Sequence, residues 1–132
     1  MLEEHCTAAK VVVSTRGEDG CDAVARKGND LDIGALDMSE DWPKMTARHG
    51  TMRDIDTVIT CASYALDGEQ IVDTTGAGDA FIAGVCFGLA TKQPLTHCLA
   101  LGRRVAWHKL QGIGARSALP RASELGTLLG EP

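Results

Sequence analysis

Positive charge is the first thing this chain lacks. Its 132 residues carry 13 Lys and Arg against 18 Asp and Glu, a net charge of -5, and no segment gathers them into a basic stripe. A surface that tracks phosphate backbones is thereby excluded, and nucleic acid is not an expected partner. No apolar run reaches the length of a membrane span, and the opening residues MLEEHCTAAK are polar and acidic where a secretory leader would be basic and then apolar. The expected location is the cytoplasm, with no membrane partner. Five cysteines, Cys6, Cys21, Cys61, Cys86 and Cys98, form no C-x-x-C pair, and their odd number does not make a disulfide framework. His5-Cys6 and His97-Cys98 are adjacent pairs whose side chains point apart on strand or helix, so free thiols in a reducing compartment are expected rather than metal ligands. Two phosphate-binding devices are missing as well. The pattern G-x-x-x-x-G-K-[ST] occurs nowhere, and the third glycine of a dinucleotide fingerprint starting at Gly76 is replaced by Phe81.

What is present suits one small domain with a real core, 44% of the residues being hydrophobic and 23% charged. Val11-Val12-Val13 reads as a buried strand running through Thr15 into the turn Gly17-Glu18-Asp19-Gly20, and Cys21 to Ala25 as the returning arm of a hairpin. Lys27 to Asp56 holds Gly28, Gly34, Pro43 and Gly50 among many charges without a sustained period, and reads as a long inserted loop or a partly disordered insertion, anchored in part by Trp42 and Met45. Strands are expected again at Thr57 to Cys61 and at Gln70 to Val72. From Asp79, Phe81, Ile82, Val85, Cys86 and Leu89 recur at helical spacing and predict a buried helix ending near Thr91. A second helix follows from Leu95 to Leu110, with Leu95, Leu99, Leu110 and one of Val105 or Ala106 inward, stopped by Gly112 and Gly114. Residues 123–129 predict a short closing helix.

Between the last expected strand and the first helix lies Val72-Asp73-Thr74-Thr75-Gly76-Ala77-Gly78-Asp79. The first N–H groups of a helix have no intrahelical partner and attract anions, and glycine lets an anion come close without a Cβ in the way. Gly76, Ala77 and Gly78 offer such donors. Asp79 would repel a phosphate that merely bound there; it makes sense where a hydroxyl is deprotonated beside a phosphoryl group whose growing charge the amides stabilise. Phosphoryl transfer to an alcohol fits, with Asp79 as base. The plainer alternative for Asp79 is a carboxylate favoured by the helix dipole. Asp73 either holds a cation or caps the turn through its own backbone.

The segment Asp73-Thr74-Thr75-Gly76-Ala77-Gly78-Asp79 resembles the D-T-x-G-A-G-D signature of the ribokinase-like (PfkB) carbohydrate kinases at every fixed position. Thr15 to Gly20 resembles the T-x-G-x-x-G segment of that family, and Gly112 to Arg116 with Leu119-Pro120 its C-terminal G-A…P stretch. Val105-Ala106 and Lys109 to Gly112 also resemble ketohexokinase-like members. The resemblance implies ATP-dependent transfer of the γ-phosphoryl group to a sugar or similar alcohol. Asp79 would be the base, and the Gly76, Ala77 and Gly78 amides the anion hole. Thr15, Gly17, Gly20 and Thr75 would lie on the nucleotide side. Asp73, with oxygens near Gly114 and Ala115, would form a site for a monovalent cation such as K+, and Mg2+ would accompany ATP. The implied fold is α/β, a three-layer ribokinase-like sandwich with a mostly parallel sheet between helices and nucleotide at the strands' carboxyl ends.

Family members are considerably longer, and the resemblance covers only their C-terminal, nucleotide-binding portion. The N-terminal half, with the glycine hinge, most sugar-binding residues and the lid strands, has no counterpart here. Three readings stay open: a carbohydrate kinase domain, with a homo-oligomer or a missing N-terminal half as its expected partner; a truncated non-catalytic module that binds nucleotide or docks onto a partner; or an incomplete product of a longer gene.

Overall fold

The computed structural model of the chain describes residues 9–26, 32–36, 43–49, 55–62 and 71–125. They fall into two compact units, one holding the described residues before 63 except Asp32–Ala35, the other holding Asp32–Ala35 and everything described from Ile71 onward.

The first unit is a sheet. β1 (Val11–Thr15) turns through a short 3-10 segment, Gly17–Asp19, into β2 (Cys21–Arg26), and β3 (Met45–His49) and β4 (Ile55–Cys61) complete the order β1-β2-β4-β3. Val13 faces Ala23, Ala23 faces Ile59, and Ile59 faces Ala47 across the ladder. Alternation sorts the side chains of the two central strands: Cys21, Ala23 and Ala25 of β2 and Thr57, Ile59 and Cys61 of β4 are buried.

Every pairing is antiparallel, which corrects the mostly parallel sheet expected from the sequence. Parallel neighbours need a crossover of a dozen or more residues, usually a helix. Here the described α-helices all follow the last described strand, so none joins two strands. The expectation of a loop over 27–56 is also corrected, because β3 and the start of β4 lie inside it. β3 is an edge strand whose one buried side chain is Met45, with Thr46, Arg48 and His49 exposed. Such an edge carries polar residues where a central strand carries apolar ones, so no period-2 apolar signal marks it. Trp42, the other expected anchor, lies outside the described residues, as does Gln70.

The second unit is helical. α1 (Ala77–Ala90) and α2 (Leu95–Lys109) pack on each other, and α3 is described over Ala122–Leu125, the rest of the closing helix expected over 123–129 lying outside the described residues. Ile71 and Val72 form no strand; they are exposed, and the Val72 N–H donates to the Leu110 carbonyl at 2.8 Å beyond α2. One bond to a helix exit is not a ladder. The expected inward face of α2 is observed in Leu95, Leu99 and Ala106. α1 is buried on one side only, by Ala80, Phe81, Gly84, Val85 and Gly88, whereas Ile82, Cys86 and Leu89 are exposed. Among the described elements it packs chiefly on α2, and one helix covers one stripe.

Small residues set the α1–α2 crossing. A Cβ on Gly84 would stand 2.7 Å from the Gly102 Cα, and one on Gly102 would stand 2.8 Å from the Phe81 carbonyl oxygen. The two backbones touch where any side chain would separate them.

Candidate phosphate cradle and its latch

Gly76 is the N-cap of α1, with φ 78° and ψ 5° and no side-chain cap. That left-handed backbone favours glycine, and a Cβ there would also come within 2.9 Å of the Ala115 Cβ. Within the turn the Ala77 N–H donates to the Thr74 carbonyl at 3.2 Å, and the Ala80 N–H to the Gly76 carbonyl at 2.9 Å. Of the three expected amides, that of Ala77 is therefore already engaged. Gly78 lies in the first turn and is exposed, and a Cβ built on it would meet nothing within 4 Å. Asp79, next along the same turn, is exposed as well. The helix thus opens with an unobstructed backbone and a carboxylate beside it, at the positive end of its dipole.

Asp73 anchors this turn. One carboxylate oxygen accepts the Thr75 N–H at 2.9 Å, and the other accepts the Gly114 N–H at 2.7 Å. The hydrogen bonds from Thr75 and then Gly114, helped by the nearby Lys109 charge, hold its pKa down from 3.8 to about 2. The cap of the turn weighed for Asp73 is present, and it extends across the fold to the loop after α2.

Lys109 was not singled out for the site by its sequence, yet it ties the site together. Its side chain is fully buried, and Nζ donates to the Asp73 carbonyl at 2.8 Å and the Gly112 carbonyl at 3.2 Å. A lysine at the end of a helix ordinarily reaches solvent or the last carbonyls, so its position gave no sign of burial. The Asp73 N–H adds a bond to the Leu110 carbonyl at 3.3 Å. The signature turn is thus latched to residues 110–115 by backbone, carboxylate and ammonium together.

The remaining expected site residues lie in the sheet unit. Thr15 ends β1, opposite Cys21. Gly17 has φ 57° and open space where a Cβ would stand; Gly20 has φ 99°, and its Cβ would lie 2.0 Å from the Cys61 carbonyl oxygen. Gly20 is required by packing against the end of β4, whereas Gly17 is favoured by its left-handed backbone alone. The Gly20 N–H closes the turn on the Gly17 carbonyl at 3.2 Å.

Among the described residues no group of three or more His, Cys, Asp or Glu is placed to hold a metal ion. Magnesium seldom uses an all-protein cage and is commonly carried by phosphates with one or two carboxylates, so Mg2+ arriving with nucleotide fits this surface. A monovalent cation at Asp73 meets different conditions. Both carboxylate oxygens accept N–H groups, and the carbonyl accepts the Lys109 ammonium. Two unit positive charges ~4 Å apart repel by about 4 kcal/mol at an effective dielectric of ~20. A separate hollow of about 500 Å³ opens beyond α2, lined by His108, Gln111, Ser117, Leu119, Arg121 and Glu124, with no signature residue in its wall.

Known proteins of similar sequence and fold exist. A nucleoside kinase from Burkholderia thailandensis, solved in complex with inosine, superposes with a TM-score of 0.60 at 19% identity, over 93% of this chain and 30% of its own. A Methanocaldococcus jannaschii nucleoside kinase, described as an archaeal member of the ribokinase family, gives 0.59 at 17% identity, over 98% and 33%. These likenesses put the fold in the ribokinase-like class. The family model for pfkB family carbohydrate kinases matches residues 60–122. An uncharacterized sugar kinase from Archaeoglobus fulgidus is 36% identical over 81 residues, 61% of this chain and 28% of that protein. An ATP-dependent 6-phosphofructokinase from Thermoanaerobacterium thermosaccharolyticum is 46% identical over 52 residues, 39% of this chain and 16% of its own. The likeness to pfkB family carbohydrate kinases thus extends over just under half of the chain, and the chain spans about a third or less of the relatives it matches.

Proposed function

We propose that this chain supplies the phosphate cradle and the catalytic base of a kinase that transfers the γ-phosphoryl group of ATP to a hydroxyl of a sugar or sugar-like alcohol. One observation carries the reading: α1 opens on a left-handed Gly76 with clear space at Gly78 and an exposed Asp79 in the same turn. Asp79 takes the proton of the acceptor hydroxyl as its oxygen forms the new bond to phosphorus. The bond from the γ-phosphorus to the oxygen bridging it to the β-phosphate breaks, and ADP leaves with that oxygen. The loose transition state asks chiefly for alignment and for donors where negative charge gathers, which the open first turn provides. Thr15, Gly17, Gly20 and Thr75 are assigned to the nucleotide side, and Mg2+ bound with ATP neutralises phosphate charge. The whole enzyme works in the cytoplasm on small molecules, completed by an N-terminal half or by assembly with further copies.

The short span relative to its relatives supports a second reading, a module that binds nucleotide or a partner but lacks the acceptor pocket. Catalysis needs both substrates held in line, and that alignment is lost with the pocket. A titration of the chain with Mg-ATP, paired with an assay of sugar-dependent ADP release, separates the two. ADP release that requires a sugar supports the kinase; ATP binding without it supports the nucleotide-binding module; failure to bind ATP overturns both of these and leaves only a partner-docking module.

A further inference from the structure

Lysine side chains are almost never fully buried without partners, since a desolvated ammonium is costly. Lys109 is fully buried, and its partners are main-chain carbonyls from two separate segments, Asp73 at the start of the signature turn and Gly112 after α2. Carbonyl oxygens converging on a compact monovalent charge are the donors an alkali cation uses when it sheds its water. The Asp73 carboxylate, on the same residue as one of those carbonyls, adds negative field. Positive charge therefore already stands where the sequence led us to expect a free cation, and it is covalently tethered.

We propose that the ammonium of Lys109 replaces a monovalent cation in this chain, clamping the turn that carries Gly76, Gly78 and Asp79 to the loop 110–115 without K+ from solution. A bound ion stabilises a fold only in proportion to its occupancy, which falls with its concentration. A tethered one is always present. Lys109 is thus a positioning residue: it touches the backbone at Asp73, and through it sets the direction of the first turn of α1. The consequence for catalysis rests on the kinase reading, but the clamp does not.

The test reads melting, not turnover. The chain is unfolded thermally in KCl, NaCl and tetramethylammonium chloride at equal ionic strength, alongside Lys109→Ala, which leaves room for a small cation. The wild-type midpoint should be the same in all three salts. Lys109→Ala should melt several degrees lower in tetramethylammonium chloride and recover part of that loss in KCl. A K+-specific rise in the wild-type midpoint overturns the inference, as does a folded Lys109→Ala that responds equally to every salt. Should Lys109→Ala not fold, the wild-type comparison decides alone. Absence of phosphoryl transfer by the chain would count against the kinase reading and leave these melting results untouched.

Discussion

Gly76 and Gly78 are two residues apart, and the physics of replacing them runs in opposite directions. At Gly76 an alanine must hold a left-handed backbone, costing about 1–2 kcal/mol, and its Cβ meets Ala115. Gly76→Ala should lower the melting temperature. At Gly78 the backbone is helical and the Cβ meets nothing, so Gly78→Ala should leave stability unchanged or raise it by up to about 1 kcal/mol. Its Cβ would nevertheless stand in the approach to the cradle, so ATP affinity should fall while the protein melts no lower. Equal ATP binding by wild type and Gly78→Ala would remove that amide from the phosphate site. For Asp79, replacement by Asn in the active kinase should cut turnover by about 10²–10⁴-fold and spare ATP binding; near-normal turnover would exclude it as base. Asp73 makes a prediction in pH. Its pKa is depressed in the fold, from 3.8 to about 2. The folded state therefore holds fewer protons than the unfolded one in that interval, and the stabilisation is complete above pH 3.8 and lost as pH falls toward 2. The stability difference between wild type and Asp73→Asn should be constant from neutral pH down to about pH 4 and shrink below it, as denaturant titrations at stepped pH would register.

At the scale of elements, the α1–α2 crossing opposes propensity to packing. Gly84→Ala gains up to about 1 kcal/mol of helix propensity, but its Cβ would press on the Gly102 backbone, and overpacking costs about 1–3 kcal/mol. Packing should win, with a lower melting temperature and retained helical circular dichroism; a more stable variant would show that the helices separate freely there. Much of this architecture was legible in sequence where one local signal sufficed. Val11-Val12-Val13 followed by Gly17 and Gly20 announced the β1–β2 hairpin, and Gly76-Ala77-Gly78 before an apolar period announced an open helix start. What stayed hidden depends on partners distant in the chain. β3 is defined by pairing with β4 and not by its own side chains, Gly84 and Gly102 acquire meaning only when they meet, and the burial of Lys109 depends on carbonyls 36 and 3 residues away. The outward half of α1 was misjudged for the same reason: Ile82, Cys86 and Leu89 have the composition of a core face, and composition does not supply a neighbour.

For the molecule as a whole, that outward face bears on how the 132-residue chain behaves in water. Ile82 is 56% exposed, Phe87 47% and Leu89 40%, all on one helix of fourteen residues, with Cys86 exposed between them. Contiguous apolar surface of this kind is uncommon on stable monomers and drives association when nothing lies over it. Relatives of the same fold are about three times as long and have further chain available to cover such a surface. Studied alone, this chain should self-associate as its concentration rises, which sedimentation velocity would register as a weight-average coefficient that climbs with loading. Ile82→Glu combined with Leu89→Lys puts opposite charges seven residues apart on exposed positions, where substitutions scarcely disturb the fold. The pair should return the chain to a monomer without lowering its melting temperature. A wild-type chain that sediments as a monomer at every concentration would mean that the face is tolerated bare, and that the added length of its relatives is not needed to shield it.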